Sequence, residues 1–277
     1  MNKDVVVVIG AGGIGQAIAR RQGTGRLVLL ADYNDQTLKT AADSLEAGGH
    51  DVTTRGVDVS RLDSVRSLAE EAAGLGPVAQ VIHTAGLSPV QASPQAILAV
   101  DLYGVAVVLE EFGRIVAAGG AGLVISSMAG HMLPALPPEH DRALASTPAD
   151  DLLQLPMLSP EAVPNSGVAY AMAKRANKLR VQAAAVTWGD RGARINVMSP
   201  GIILTPLARD EMSGPGAATY RQMVEQSSAG RVGTTDEIAT AAAFLLGPDA
   251  GFITGSDLLI DGGVIAAIRV GRVQLSL

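Results

Sequence analysis

Short runs of β-branched and aliphatic residues recur along the chain and alternate with longer Ala- and Leu-rich stretches whose apolar positions follow a helical period. The short runs predict strands at 4–9, 26–31, 51–57, 79–83, 121–126, 193–198 and 257–260, with helices in most of the intervals between them. This alternation is the signature of repeated βαβ units. It predicts the α/β class, with a doubly wound seven-stranded parallel sheet, helices on both faces and a single domain spanning 1–277. The rhythm fails once, over 131–166, where Pro134, Pro137, Pro138, Pro148, Pro156, Pro160 and Pro164 interrupt any continuous helix. That stretch reads as an insertion in the domain.

Composition sharpens the picture. Apolar residues are 48% of the chain and aromatic ones only 3%, so the core must be built from Ala, Val, Leu and Ile. Such a core suits buried parallel strands under Ala-rich helices. The net charge of −6 and the scatter of Lys and Arg argue against nucleic acid as a partner. With no cysteine there is neither a disulfide framework nor a thiolate metal site, and His50, His83, His131 and His140 have no metal-ligand spacing, so no metal is expected. The apolar run Val5 to Ile9 is too short for a signal peptide or a membrane span, which predicts a cytoplasmic protein with no membrane partner.

Candidate chemistry begins directly after the first strand, where Gly10-Ala11-Gly12-Gly13-Ile14-Gly15 precedes a helical run. Glycines there allow a tight turn and let a pyrophosphate approach a helix N-terminus, whose N–H groups and dipole favour negative charge. This is the Rossmann pattern of a dinucleotide site. Asp32 closes the second strand, 22 residues after Gly10. A carboxylate at that point accepts from the adenosine ribose hydroxyls and repels a 2′-phosphate, which selects NAD; the alternative is a cap on the helix beginning near Asn34. Asp58, after the third strand, reads as an adenine contact or as a turn residue.

Farther along stand His83-Thr84-Ala85-Gly86, Ser126-Ser127, Tyr170-Ala171-Met172-Ala173-Lys174 and Ser199-Pro200-Gly201, with Ile260-Asp261-Gly262-Gly263 near the end. In this order they resemble the short-chain dehydrogenase/reductase family over nearly the whole chain apart from the insertion, and bacterial hydroxysteroid dehydrogenases within it. The resemblance implies Tyr170 as general acid/base, Lys174 beside it, Ser127 on the substrate oxygen and Asp101 at a position of the proton relay. It also implies that Val59, Thr84, Ala85, Gly86, Pro200, Gly201, Ile203 and Thr205 join the glycine turn, Asp32, Tyr170 and Lys174 along the cofactor, and that the protein is a homodimer or homotetramer. The residue types agree: Lys174 lies one helical turn after Tyr170, and its positive charge favours the phenolate that a base requires.

Several positions depart from the family pattern. The glycine turn is one residue short, Ile9 stands for a threonine, and His83-Thr84 replaces two asparagines. Asp101 stands for an asparagine and reads either as the holder of a relay water or as a helix-interior group satisfied by backbone. Ser127 and Tyr170 are 43 residues apart, where the family has about a dozen. The segment 131–166 therefore reads as a lid over the pocket, a subunit contact or surface packing, and His131 and His140 within it read as solvent-exposed. Thr205 reads as a nicotinamide contact, a helix cap or both. The pocket is expected to be lined by Ala129, Met132, Ile202, Leu204, Leu207 and Met212, and the reaction to be reversible oxidation of a hydrophobic secondary alcohol to a ketone with NAD. The competing reading is a catalytically silent NAD-binding sensor.

Overall fold

The computed structural model describes residues 3–205, 208 and 216–273. Seven parallel strands form one sheet in the order β3-β2-β1-β4-β5-β6-β7. They are β1 (Val5–Ile9), β2 (Leu27–Asp32), β3 (Asp51–Gly56), β4 (Val78–His83), β5 (Val116–Ile125), β6 (Arg194–Pro200) and β7 (Asp257–Ile260). The fifth begins five residues before its predicted start, because Val116 pairs with Val78 ahead of a register shift in β4.

Helices α1 (Gly13–Gln22), α2 (Asp35–Ala47) and α10 (Thr235–Leu246) cover one face of the sheet, and α3 (Leu62–Leu75), α5 (Gly104–Gly113) and α8 (Ser166–Gly189) the other. Strand β1 shows why both faces must be covered. Val5, Val7 and Ile9 join the α3, α5 and α8 core, Val6 and Val8 join the α1, α2 and α10 core, and all five are fully buried. Alternation across a strand makes this automatic for an unbroken apolar run. Polar residues fix the helix starts: Asn34 caps α2 by accepting from the Thr37 N–H, and Asn165 caps α8 by accepting from the Val168 N–H.

Short helix α4 (Pro94–Ile97) runs into α5 through one wide turn of π-helix, Leu98–Tyr103. The insertion is not structureless. It folds as α6 (Pro138–Ser146) and α7 (Ala149–Leu152), each started by prolines that are tolerated in a first turn. Leu144, Ala149, Leu152, Leu158 and Val163 from this segment are buried in the α5 and α8 core. Arg175 of α8 donates twice to Asp141, while Arg180 donates to the carbonyls of Leu144 and Thr147. Of the segment, only His131 and Met132 approach the chemistry described below. Helix α9 (Ala217–Gln226) and helix α11 (Val264–Arg269) pack together beside Met128 and Ile202.

Candidate active site

In a doubly wound sheet the crevice opens at the C-terminal strand ends, where the strand order reverses. Here the reversal lies between β1 and β4, and the candidate residues gather at it. Gly10 follows β1, Asp32 ends β2, Thr84 follows β4, Ser127 follows β5 and Gly201 follows β6.

A cleft of about 770 Å³ runs along the β1 and β2 ends, lined by Gly10, Gly12, Gly13, Ile14, Gly15, Asp32, Asp58, Val59, Thr84, Ala85, Gly86 and Thr205, among others. Glycine is obligatory at position 15, since a Cβ there would run into the Gly10 carbonyl oxygen. Helix α1 carries no side-chain cap and no acid in its first turn, and a Cβ at Gly12 would meet nothing within 4 Å. This is an open helix N-terminus facing a cleft, the condition for holding a pyrophosphate.

Asp32 is not the cap of α2, a role that Asn34 fills. Its Oδ2 accepts from the Ala11 N–H at 2.6 Å and its Oδ1 from the Asn34 N–H at 2.8 Å, which locks the carboxylate at the cleft edge. Among the described residues, no Lys or Arg lines this cleft. Asp58 lines it too, but Oδ1 is engaged in a turn with the Ser60 N–H and hydroxyl. Thr84 resolves the missing asparagines: its hydroxyl donates to the Gly10 carbonyl at 2.9 Å and so ties β4 to the glycine turn.

A second cavity, of about 370 Å³, is lined by Ser127, Tyr170, Lys174, Asp101, Pro200, Gly201, Ile203 and Thr205 together with apolar side chains. Ile14, Thr84, Gly86, Leu87 and Thr205 border both cavities, so the two are continuous. Ser127 caps the turn Met128–His131 by accepting from the Ala129 N–H at 3.2 Å. That bond uses a lone pair and leaves the hydroxyl proton for an acceptor in the cavity. Thr205 likewise accepts from the Ala208 N–H, so capping and cleft lining coexist in one residue.

Lys174 and Asp101 are the electrostatic centre. Both are buried, and Lys174 Nζ lies 2.9 Å from Asp101 Oδ2 and 5.1 Å from the centre of the Tyr170 ring. Asp101 Oδ1 accepts from the Leu87 N–H at 2.8 Å. Burial works against the charge of Lys174, but Asp101 and Tyr170 outweigh it and hold the ammonium above its ordinary value. Burial also pushes the Asp101 carboxyl up, against the pull of Lys174 and the Leu87 N–H. His83 is buried behind them, and desolvation with the nearby Lys174 lowers it to about 3.

The apolar wall differs in part from expectation. Ala129, Met132 and Ile202 line the cavity, joined by Met128, Tyr220 and Met223, which the sequence reading missed. Tyr220 and Met223 are three apart on α9, a spacing that puts them on one face of a helix. Leu204 is not part of this wall. Its side chain is 41% exposed, because Ile203 is the residue drawn inward by a bridge to Gly233. Leu207 and Met212 lie outside the described residues. His131 is not solvent-exposed either: Nε2 stands 2.8 Å from Asp257 Oδ2, and Asp257 also accepts from Ser199 Oγ at 2.7 Å.

Residues 4–136 match the family model described as short chain dehydrogenase, and residues 152–265 the one described as Enoyl-(Acyl carrier protein) reductase. A short-chain dehydrogenase/reductase of Alternaria brassicicola, bsc3, is 43% identical over 96% of this chain and 97% of its own. The chain is a short-chain dehydrogenase/reductase. It is also similar, at 26% identity over 81% of this chain and 91% of the relative, to the 3-alpha-hydroxysteroid dehydrogenase/carbonyl reductase of Comamonas testosteroni. A short-chain dehydrogenase of Burkholderia cenocepacia J2315, solved in complex with NADP, shares the fold with a TM-score of 0.73. Its identity is 22%, over 95% of this chain and 98% of that one. As a short-chain dehydrogenase/reductase the chain is an oxidoreductase of a family that binds a nicotinamide cofactor, and the glycine turn, the uncapped α1 and Asp32 fit such a group. Among the described residues no helix is long and apolar enough to cross a membrane, and no group of His, Cys, Asp and Glu is placed to hold a metal ion.

Proposed function

We propose that this chain is an NAD(H)-dependent oxidoreductase that interconverts a secondary alcohol and a ketone on a hydrophobic small molecule. The observation that carries the proposal is that Ser127, Tyr170 and Lys174 line one cavity, and that this cavity is continuous with the glycine-turn cleft. The nicotinamide, when bound, accepts or supplies the hydride. Everything else falls to the chain. Ser127 gives its hydroxyl proton in a hydrogen bond to the substrate oxygen and fixes its position. Tyr170 takes the alcohol proton in oxidation and returns it to the carbonyl oxygen in reduction. Lys174, held under the Tyr170 ring, favours the phenolate that oxidation needs. Pro200, Gly201, Ile203 and Thr205 line the cavity that holds Tyr170, and Thr205 borders the glycine-turn cleft as well.

The choice of NAD rests on Asp32 and on the lack of basic residues along the cleft among the described residues, since a 2′-phosphate beside that carboxylate would find repulsion and no countercharge from them. Met128, Met132, Ile202, Tyr220 and Met223 favour a bulky apolar substrate of the steroid or terpenoid kind. The reading further takes the enzyme to be cytoplasmic and a homodimer or homotetramer, which sedimentation of the purified chain checks.

The test is NADH formation across a panel of hydrophobic secondary alcohols, with Tyr170→Phe alongside. Loss of about 10²- to 10⁴-fold in kcat for the Phe variant is expected. Equal rates for both proteins on every alcohol would instead favour the silent sensor, and a strong preference for NADP would overturn the role of Asp32.

A further inference from the structure

A hydroxyl, a phenol and an ammonium suffice for the proposed proton transfer, yet this site carries a fourth group, a buried carboxylate in direct contact with the ammonium. Asp101 has no solvent exposure. It is presented by the π-helical turn Leu98–Tyr103, a widening of the kind that often marks functional positions. The Leu87 N–H fixes Oδ1, which leaves Oδ2 against Lys174 Nζ at 2.9 Å. Gly86 makes room for the pair. A Cβ there would stand 3.0 Å from Asp101 Oδ2 and 3.3 Å from Lys174 Nζ.

Among the described residues, the titratable groups that share this site with Tyr170 are few. Helix α8 supplies Lys174, the π turn Asp101, the end of β4 His83, and α9 Tyr220. His83 is uncharged at neutral pH, so among the described residues Lys174 and Asp101 are the two charges. A lone ammonium beside a phenol favours phenolate, but an ammonium with a carboxylate 2.9 Å away acts on the ring as a dipole, whose influence is much weaker.

Resting on the proposed function, we infer that Asp101 is a positioning residue that offsets Lys174 as felt at Tyr170, so that the enzyme is a carbonyl reductase at neutral pH and an alcohol dehydrogenase only in alkaline solution. Reduction adds a hydride to the carbonyl carbon, from the reduced nicotinamide, and the Tyr170 proton to the oxygen. The products are the alcohol, the oxidised nicotinamide and a phenolate that water reprotonates. Oxidation runs the same bonds backward and needs the phenolate first, which is the form that Asp101 disfavours.

The experiment compares wild type, Asp101→Asn and Tyr170→Phe, measuring kcat/KM in both directions from about pH 6 to about pH 10. Asparagine keeps the size and an acceptor for the Leu87 N–H but removes the charge. For wild type, oxidation is expected to be still rising above about pH 8. In Asp101→Asn that rise moves down by about one pH unit, while the plateau rates stay within about threefold. A readout without turnover accompanies it: in ligand-free protein, the tyrosinate absorbance that is lost in Tyr170→Phe develops at lower pH when Asp101 is Asn.

Coincident profiles for wild type and Asp101→Asn, or a loss of equal size at every pH, overturn the inference and leave the proposed function standing. A wild-type oxidation rate already level at neutral pH overturns it as well, whether or not the variant folds. A wild type no faster than Tyr170→Phe in either direction overturns both.

Discussion

Two glycines of the turn after β1 illustrate how one motif divides its work. Position 15 is closed by the Gly10 carbonyl, so Gly15→Ala is expected to lower Tm by forcing α1 away from β1. Position 12 is open, and its φ of −70° suits any residue. Gly12→Ala should therefore leave Tm unchanged and raise the Kd for NADH, a contrast that thermal melts and fluorescence titration check together. His83 makes a second residue-scale prediction. Its folded value of about 3 lies below the ordinary 6.5, so between these the unfolded chain binds a proton that the native protein refuses. Stability contributed by neutral His83 is complete above pH 6.5 and is lost as pH falls toward 3. At pH 5 the loss is about 2 kcal/mol. Urea titrations of His83→Asn should show a flatter pH dependence than wild type over this range. The sequence placed His83 at a strand end but gave no sign that Lys174 would stand beside it, since the two meet only through the packing of α8 on the sheet.

The insertion is the element whose role was least legible. Its prolines marked a break in helix periodicity, but prolines can begin helices as well as end them, and Pro138 and Pro148 stand at the starts of α6 and α7. Nor did any local pattern reveal its docking site, because the anchors Arg175 and Arg180 lie on α8, more than thirty residues from their partners. The insertion packs outward on α5 and α8, and the cavity receives only Met132 from it together with the neighbouring turn Met128–His131. Arg180 also meets Glu110 of α5, whose carboxylate accepts from the Ala149 N–H. Arg180→Leu is expected to cost about 2–3 kcal/mol, since the Leu144 and Thr147 carbonyls lose this donor and the Glu110 carboxylate loses one of two. Because those acceptors are remote from the pocket, KM should stay within about twofold of wild type. Calorimetry and steady-state kinetics on one preparation separate the two effects, and a large KM change with an unaltered melt would return the segment to the role of a lid.

For the whole molecule, the β/α alternation was legible because central strands such as β1, buried on both faces, carry no polar phase, and because the turn after β1 is short and rich in glycine. Side-chain pairings between distant elements, such as Asp257 with His131, were not legible, since no periodicity encodes them. The single Trp188 is fully buried against α5 and donates to the Leu109 carbonyl. Its fluorescence therefore reports the central core, and its unfolding transition should coincide with loss of circular dichroism, as expected of one cooperative domain. NADH at a hundred times its Kd should stabilise that transition by about 2.7 kcal/mol. The partition of Ile14, Thr84, Gly86, Leu87 and Thr205 between two cavities has a consequence for how such an enzyme can diversify. Substitutions on that common wall would trade new substrates against the grip on the nucleotide, whereas Met128, Met132, Tyr220 and Met223 line the second cavity without bordering the cleft, so exchange there reshapes the substrate wall alone. Altered selectivity in descendants or engineered forms should therefore accumulate at the methionines, leaving the nucleotide preference inherited intact.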